Sequence, residues 1–513
     1  MDRALPVPAP AQMAWGTVLL AGLVLAASNF MVVLDMTIAN VSVPHIAGGL
    51  GISSTEGTWV ITSYAVAEAI CVPLTGWLAR RFGEVRVFIA GLIGFGIFSF
   101  LCGMAPSLGA LVAFRIGQGL SGGPLMPLTQ TLLLRIFPKD KHAMAMAIWS
   151  MTTIAAPIFG PILGGTISDT WGWNWIFFIN VPIAIACSLA AVALLRRAES
   201  KTERVPIDVV GLGLLLLSVS ALQIMLDLGR ERDWFGSSFI VILAIIAAAG
   251  FVFLIAWELL DRQPVVDLKV FRHRGFTVSV AALSFAFATF FASVVVIPMW
   301  LQNALGYTAT WAGYATAFTG ISAVLMAPIA AMLSQKMDPR LLVSGGIFWL
   351  AATSLVRVFW WTSGADFWTL ALPQLFQGAG LPFFFVPLTT LALGAVEEDE
   401  VASAAGVMNF LRTIAGAIGT AIGVTMWENR AQATRSALTD VMHGTSATMQ
   451  ALQSRGFSVE QSRQFVSQLV DSQSTAISTV SLFSLAAVIF VGSAAIIWLA
   501  PKPKHAVAMD AGH

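Results

Sequence analysis

Charged residues inside long apolar runs are the groups in this sequence best suited to chemistry. Asp35 follows the uncharged run "WGTVLLAGLVLAASNFMVVL", Glu68 lies in "SYAVAEAICVPLTG", and Arg115 lies in "LVAFRIGQG". A charge at the centre of a bilayer costs about 2.5–3.5 kcal/mol on insertion scales, so such residues usually face a cavity or a partner. Acids near an arginine can load and release protons, and this pattern indicates proton coupling.

Asp35 shares one helical face with Ser28 and Ser42, seven residues to either side. We expect this polar face to line a central cavity. The alternative is an acid near the end of its helix, at the outer interface of the membrane.

Glu68 lies at the middle of the second apolar run, with Tyr64 and Thr75 on its face. A carboxyl group removed from water in this position is suited to carrying a proton. The alternative is a neutral acid that is hydrogen-bonded in a helix contact.

Three arginines lie within apolar runs. Arg115 shares a face with Gln118, and it could control the charge of a nearby carboxylate or form a structural ion pair. Arg412 shares a face with Asn409, and it could bind substrate or a carbonyl at a helix end. Arg357 lies beside two tryptophans near the end of its run, where snorkelling to the interface is expected.

Composition places the chain in the membrane. Of 513 residues, 57% are hydrophobic and 11% are charged, against about 25% charged in soluble domains. The net charge of +1 indicates no nucleic acid partner. The three cysteines have unrelated spacings and no C-x-x-C motif, so they predict packing residues, with neither disulfides nor a metal site.

Apolar runs long enough to cross a bilayer predict an all-α integral membrane protein with fourteen transmembrane helices. The predicted helices are 15–38, 58–78, 86–105, 108–134, 143–167, 175–195, 209–228, 239–259, 276–300, 311–333, 341–361, 368–393, 401–427 and 476–499. The first run is longer than the apolar core of a signal peptide, so we interpret it as an uncleaved helix.

The distribution of lysine and arginine predicts the orientation. With residues 1–14 in the cytoplasm, nineteen of these basic residues fall in cytoplasmic segments and six in outside segments. Three more lie within the helices. The even number of helices also puts residues 500–513 in the cytoplasm.

The segment 428–475 is the one long connection, and it is predicted to lie outside. Its partial helical periodicity predicts two amphipathic segments broken near Gly456. Two interpretations stay open, a solvated hairpin and a docking surface for a periplasmic partner.

An internal repeat predicts how the helices are grouped. The stretches "VPLTGWLARRFGEVR" and "APIAAMLSQKMDPRL" match, and "QG" followed by "PLT" occurs in the fourth and twelfth helices. These matches lie eight helices apart. They predict a six-helix bundle at 15–195, an inserted pair of helices within 196–275, and a second six-helix bundle at 276–499.

Four motifs resemble those of one transporter superfamily. They are "GWLARRFGEVR" (Gly76, Arg81, Gly83), "LVAFRIGQG" (Arg115, Gln118), "APIFGPILGG" (Gly160, Pro161, Gly164, Gly165) and "LDMTIANVSVP" (Asp35). With them, the chain resembles the fourteen-helix drug:proton antiporters of the major facilitator superfamily. Arg80 and Glu84 have charges opposite to the usual ones in the first motif, which counts against the usual charge-relay gate there.

The resemblance implies a function. It implies export of amphipathic toxic compounds, or multidrug efflux, driven by proton entry and without ATP or a cofactor. It assigns Arg115 to sensing the protonation of Asp35, and the glycines and Pro161 to conformational change. It also implies a tripartite efflux pump with a periplasmic membrane-fusion adaptor and an outer-membrane channel as separate proteins.

Substrate contacts are predicted from residue type alone. Adaptable apolar pockets use aromatic and methionine side chains, although these also serve as packing or lipid-facing residues. The candidates for the cavity are Tyr64, Gln118, Met126, Trp149, Met151, Phe287, Phe290, Phe291, Phe384, Asn409 and Arg412.

Other classes of protein fit less well. No Gly-Lys pair exists for a Walker A loop, no H-E-x-x-H occurs, and "GLSGG" lies inside a membrane helix, so an enzyme is not expected. An exporter of one metabolite and a transporter-like membrane sensor stay as alternatives.

Overall fold

The computed structural model describes residues 14–204, 206–261, 264–441 and 446–502. Residues 1–13, which include Arg3, lie outside the described residues. So do Arg262 and residues 503–513, which include Lys504. The predicted N-terminal and C-terminal tails therefore fall almost wholly outside them. All regular structure in the described ranges is helical.

Ten helices make up the first part of the chain, up to residue 195. They are α1 (Trp15–Leu50), α2 (Ser54–Gly57), α3 (Trp59–Cys71), α4 (Thr75–Phe82), α5 (Glu84–Gly103), α6 (Leu108–Gly122), α7 (Leu125–Ile136), α8 (His142–Thr170), α9 (Trp175–Phe178) and α10 (Asn180–Leu195).

Nine further helices follow. They are α11 (Val209–Leu228), α12 (Ser238–Leu260), α13 (Arg274–Asn303), α14 (Ala309–Lys336), α15 (Pro339–Trp360), α16 (Phe367–Leu393), α17 (Val401–Val441), α18 (Ser446–Ser454) and α19 (Val459–Ile496).

Twelve helices among the described residues are long and apolar enough to cross a membrane, and the pair α3 and α4 gives a thirteenth crossing with a 58° bend. Pro73 explains this bend, because proline lacks the N–H that a continuous helix needs. The predicted fourth crossing, 108–134, is split into α6 and α7 at Gly123 and Pro124. Neither half reaches the length of a membrane span by itself.

The helices pack in two groups. In the first, α1 contacts α8 and α10, and α6 contacts α3 and α5. In the second, α13 contacts α17 and α19, and α15 contacts α16 and α19. The groups meet where α8 packs on α14 and where α4 packs on α17. The pair α11 and α12 is packed together, and α11 also contacts α3 and α17, one helix from each group.

The connections divide between two faces of the molecule. One face of the molecule holds Phe82–Glu84, the 137–141 segment, the 394–400 segment and residue 502, and we call it the proximal face. Contacts such as Lys139–Glu398 join these segments. The distal face is the opposite one, and it holds 51–58, 229–237, 361–366 and 446–458.

The first helix is longer than expected. The sequence predicted an end near residue 38, but α1 continues to Leu50 through Pro44 and ends on Gly51 in the left-handed conformation. Asp35 therefore lies in the middle of a continuous helix, and its interpretation as a helix-end acid is wrong. Hydropathy missed the last turns because they are less apolar, while buried contacts such as Ile46 stabilise them.

The long segment 428–475 also differs from the expected loop. Helix α17 runs through it for 41 residues, and α19 begins at Val459, well before the predicted 476. The predicted break near Gly456 is present, with φ +93° between α18 and α19. Residues 442–445, which the sequence placed in the first amphipathic segment, lie outside the described residues.

Candidate functional site

Asp35 and Arg115 form a buried ion pair inside the first group of helices. Arg115 Nη1 lies 2.6 Å from Asp35 Oδ2, and the side chains are 1% and 0% exposed. Gln118 Nε2 donates to Asp35 Oδ1 at 3.0 Å, and Asn180 Nδ2 donates to the same oxygen at 2.7 Å. Three donors on two oxygens match an ionised carboxylate, which only accepts hydrogen bonds.

The guanidinium of Arg115 is fixed on several sides. Its Nε donates to Val60 O at 3.0 Å, and Nη1 also donates to Gln118 Oε1 at 2.8 Å. The ring of Tyr64 lies 4.1 Å from the guanidinium carbon, a cation–π contact. The pair is therefore held by α1, α3, α6 and α10 together, so a change in its charge acts on all four helices.

Glycines bring α6 close enough to α3 to build this cluster. A Cβ on Gly119 would lie 2.6 Å from Tyr64 O, and one on Gly123 would lie 2.8 Å from Cys71 Cβ. Since real Cβ atoms do not approach so closely, only glycine fits at these positions. The spacing is the small-x-x-x-small pattern of packed membrane helices.

A cavity of about 400 Å³ lies between the two groups of helices. This volume is in the range of binding sites for drug-sized molecules. From the first group, α1, α3, α7 and α8 contribute lining residues, and from the second group α13 and α17 contribute. Helix α11 closes one side of it with Gln223, Leu226 and Asp227.

Glu68 and Arg412 are the buried charged residues on the cavity wall. Glu68 is 2% exposed, and no protein donor among the described residues reaches its Oε2. Arg412 donates to Met126 Sδ through Nη2, and its guanidinium lies 5.2 Å from the ring of Trp149 and 5.1 Å from that of Phe287. Its Nε and Nη1 find no protein acceptor among the described residues.

The structure separates the candidate residues by location. Four of the predicted cavity residues line the cavity, namely Met126, Phe287, Phe291 and Arg412. Tyr64 and Gln118 belong to the Asp35 cluster instead, and Trp149 lies beneath Arg412. The rest do not line it. Phe290 and Phe384 are buried in the core, Met151 is half-buried, and Asn409 Nδ2 donates to Gln130 Oε1 at 2.5 Å.

Asp35 differs from the expectation that its face lines the cavity. The lining residues of α1 are Val33, Met36 and Asn40, whereas Asp35 points to Arg115 within its own group. Ser28 and Ser42 lie on the same face and bond to backbone carbonyls of α1. Periodicity defines a shared face, but it does not define which neighbours that face meets.

Gly160 and Gly164 of the motif "APIFGPILGG" lie at close contacts between α8 and α1. A Cβ on Gly160 would lie 2.2 Å from Thr37 Oγ1, and one on Gly164 would lie 2.8 Å from Ile38 O, so α8 packs tightly on α1 beside Asp35. Pro161 lies between them within α8. Gly165 has open space around it.

The loop motif between α4 and α5 forms part of the proximal face. Gly83 has φ +94° and lies against the carboxylate of Glu199, which accepts from the N–H of Val85 at 3.0 Å. Arg81 lies 5.9 Å from the ring of Trp77. Glu84 pairs with Arg135 at 2.7 Å within the first group, and this pairing accommodates the reversed charge of the motif.

Contacts between the two groups close the proximal side of the cavity. A Cβ on Gly76 would lie 2.8 Å from Ser403 Cα, so the backbones of α4 and α17 approach closely. Lys139 Nζ lies 2.7 Å from Glu398 Oε1 across the same boundary. The cavity extends from Glu68 and Arg412 toward the distal face.

The second group buries another arginine. Arg357 is fully buried and its Nη2 donates to Gln374 Oε1 at 2.7 Å and Gln377 Oε1 at 2.5 Å. Its guanidinium lies 4.9 Å from the ring of Phe483. No carboxylate among the described residues pairs with it. The expectation that Arg357 snorkels to the interface is wrong, because neighbouring glutamines and rings hold it inside.

Sequence reasoning missed several residues of the site. Asn180 lies in "WGWNWIFFINVP", where the amide within an apolar stretch was the available signal. Asp227 lies in "IMLDLG" at the end of an apolar run, a similar signal. Gln130, which meets Asn409 across the boundary between the groups, gave no signal beyond its polarity.

The comparison with protein families now identifies the class. The Major Facilitator Superfamily matches residues 25–420. The chain belongs to this superfamily of membrane transporters, so the predicted family and all-α fold class are confirmed and an enzyme is excluded by the family.

Curated relatives extend this result. The chain is 45% identical over 483 residues to the multidrug export protein EmrB of Escherichia coli strain K12, covering 93% of this chain and 94% of that protein. It is 42% identical over 499 residues to the fatty acid resistance protein FarB of Neisseria gonorrhoeae, covering 96% and 97%. The predicted resemblance to the drug exporters of this superfamily is confirmed.

A solved structure supports the fold. The proton:xylose symporter XylE superposes with a TM-score of 0.57 at 14% identity, covering 95% of this chain and 96% of that one. This likeness concerns the fold alone.

Proposed function

We propose that this protein is a proton-coupled antiporter that exports amphipathic and hydrophobic compounds across the inner membrane of a bacterium. The observation that carries the proposal is the buried Asp35–Arg115 pair, fixed by four helices and placed beside a cavity between two groups of helices. Relatives named for multidrug export and fatty acid resistance support an amphipathic substrate.

The ion pair provides the proton step. Protonation of Asp35 removes the charge that holds Arg115 Nη1 at 2.6 Å, and the guanidinium then needs new acceptors. Because α1, α3, α6 and α10 all contact the pair, the first group repacks when the proton arrives or leaves. Such repacking can bias two discrete arrangements of the helices.

Glu68 carries the second proton in this proposal. Glu68 lines the cavity together with Arg412, whereas Asp35 does not line it and lies within the first group of helices. A proton that enters from the distal side meets Glu68 before it meets Asp35. Substrate release and proton uptake then occur at one opening, as antiport requires.

The movement is alternating access between two bundles, which we place at residues 15–195 and 276–499. The proximal contacts of Gly76 with Ser403 and of Lys139 with Glu398 break when the cavity opens to the proximal side. The packing of α8 on α1 through Gly160 and Gly164 keeps the first bundle together during this movement.

The orientation follows from the basic residues. Nineteen lysines and arginines fall in the segments that we place in the cytoplasm. Those that the structure describes lie toward the proximal face. Both termini are then cytoplasmic, the chain crosses the membrane fourteen times, and the distal face is periplasmic. The proton gradient supplies the energy without ATP or a cofactor.

The helical extension of α17, α18 and α19 is our proposed contact for partner proteins. At 41 residues α17 is about 60 Å long, roughly twice the thickness of a hydrocarbon core. Arg435 pairs with Asp471 at 2.9 Å and ties α17 to α19 there. Phe465 and Leu469 are exposed on this part of α19, and such apolar surface outside a membrane is typical of an interface.

The proposed partners are a periplasmic membrane-fusion adaptor (EmrA-like) and an outer-membrane channel (TolC-like). Co-purification with the adaptor tests this contact. Phe465→Ser with Leu469→Ser should lower adaptor recovery, and Phe82→Ser on the proximal face is the matched control. Equal recovery from both variants would remove 428–475 as the contact.

Transport in proteoliposomes tests the main proposal. An imposed pH gradient should drive uptake of an amphipathic dye into inside-out vesicles, and Asp35→Asn should abolish it. A transporter-like sensor would bind the dye without moving it. An exporter of one metabolite would move only one chemical type in a panel of substrates.

A further inference from the structure

The inserted helix α11 takes part in the cavity and does not lie at the edge of the protein. Gln223, Leu226 and Asp227 of α11, with Arg230 and Trp234 just after it, line the same cavity as Glu68 and Arg412. A pair of helices inserted between two bundles could have packed only against lipid. Here it forms a wall of the space that the two bundles enclose.

Contacts on both sides hold this wall in place. Trp234 Nε1 donates to Thr425 Oγ1 of α17 at 3.0 Å, and Arg230 lies 3.4 Å from Glu428 of the same helix. On the other side, the Thr62 hydroxyl of α3 lies beside Asp227. The wall therefore contacts helices of both bundles at the level of the cavity.

The charges on the cavity wall are unequally compensated. Arg230 is paired with Glu428. Arg412 is stacked between aromatic rings and shares its region with Glu68. Asp227 forms no ion pair within 4.0 Å in the described part of the chain, and its partners are the neutral Gln223 Nε2 at 3.1 Å and Thr62.

Asp227 is also accessible. Its side chain is exposed, and the surface it exposes belongs to the cavity. The same cavity is lined by apolar side chains of α13, including Phe287, Phe291 and Met299. The arrangement is a carboxylate with free acceptor capacity at one side of a mainly apolar space, and it favours a ligand with a cation on an apolar body.

We propose that Asp227 receives the cationic group of amphipathic organic cations, whose apolar body lies against Phe287, Phe291 and Met299. The inference rests on the proposed function, since it assigns a substrate class to the same cavity. The inserted helix then decides the charge preference of the transporter. A carboxylate in a partly desolvated space attracts a cation more strongly than it would in water.

A pair of probes with one shape and opposite charge tests the assignment. Tetraphenylphosphonium and tetraphenylborate binding to the purified full-length protein can be measured by equilibrium dialysis. We expect Asp227→Asn to weaken phosphonium binding about tenfold or more relative to borate binding. Asp227→Glu should restore the preference, because it keeps the charge.

Asp233→Asn is the matched control, since Asp233 is an acid nearby that does not line the cavity. Asn tolerates the left-handed conformation of this residue, so the backbone is kept. This control should leave the phosphonium-to-borate ratio unchanged. Melting temperatures of all variants show whether each is folded.

Two results would overturn the assignment. One is an equal loss of both probes in Asp227→Asn, which would make Asp227 a residue that shapes the wall. The other is an unchanged ratio in folded Asp227→Asn or an unrestored ratio in Asp227→Glu. Failure of the proposed function looks different, because wild-type protein would then bind phosphonium through Asp227 yet move nothing under a pH gradient.

Discussion

Each group of helices buries an arginine in similar surroundings, but among the described residues only the arginine of the first group is paired with a carboxylate. Gln374 and Gln377 of the second group stand 259 positions after Arg115 and Gln118 of the first. In the first group Arg115 itself pairs with Asp35. In the second group Arg357 comes from α15 and donates to the two glutamine oxygens, with no carboxylate beside it among the described residues.

The contrast shows which group of helices can take up and release a proton. A carboxylate can exchange a proton and thereby change the charge of its partner, while a glutamine amide cannot. The packing is repeated, because Gly119 lies against Tyr64 O of α3 and Gly378 lies against Thr319 O of α14. The acid, and not the packing, makes the first group the titrating one.

The largest effect should come from the titrating pair. Asp35→Asn is expected to reduce gradient-driven transport by about two orders of magnitude, because a neutral amide cannot cycle a proton. Transport into proteoliposomes measures it, with exposed Asp399→Asn as the control. Full transport by Asp35→Asn would remove the functional difference between the two groups.

Arg115→Met should also abolish transport, and it should destabilise the protein as well. Removing one partner of a buried ion pair leaves an uncompensated charge and typically costs about 3–5 kcal/mol. Denaturation in detergent gives the loss of stability. If Arg115→Met unfolds no more readily than wild type, the pair does not hold the four helices as described.

Asn180→Ala should have an intermediate effect. It removes a 2.7 Å hydrogen bond to Asp35 Oδ1 and leaves the ion pair in place. A hydrogen bond to a charged group contributes about 1.5–3 kcal/mol, so we expect transport to fall about tenfold. Ser188→Ala on the same helix is the control, since its hydroxyl bonds only to Ala184 O among the described residues. A loss equal to that of Asp35→Asn would assign Asn180 a larger role.

Arg357→Met should keep transport within about threefold of wild type. The substitution removes a buried charge that has no acid partner among the described residues. Gln377 Oε1 loses its donor, while Gln374 Oε1 still accepts from Thr319 Oγ1 at 3.2 Å. The same transport assay measures it. Loss of transport comparable to Arg115→Met would mean that both groups carry coupling charges.

The smallest effect should come from giving the second group its own acid. Gln374→Glu places a carboxylate 2.7 Å from Arg357 Nη2, and we expect a rise in melting temperature of about 2 °C with unchanged transport. Thermal unfolding measures it, and Gln302→Glu at an exposed position controls for the added charge. If Gln374→Glu changed the number of protons moved per substrate, a carboxylate beside the arginine would be sufficient to give either group of helices a titrating site.

Much of this could be predicted from one sequence. Apolar runs predicted most of the membrane helices, and the four motifs carried the resemblance to the superfamily. The helix ends were less predictable, since α1, α17 and α19 extend into polar sequence that hydropathy does not detect. The proline breaks after Cys71 and Gly122 were visible as residues, but not as bends.

The sequence by itself determined that Asp35, Glu68, Arg115 and Arg412 lie in the membrane, because each interrupts an apolar run. Tertiary structure alone decided which of them meet. It joined Asp35 to Arg115 and Asn180, put Glu68 and Arg412 on the cavity, and brought Asp227 of the inserted helix to the same wall. The physical reason is that periodicity gives each helix a face, while the partner of that face depends on packing between residues far apart in the chain.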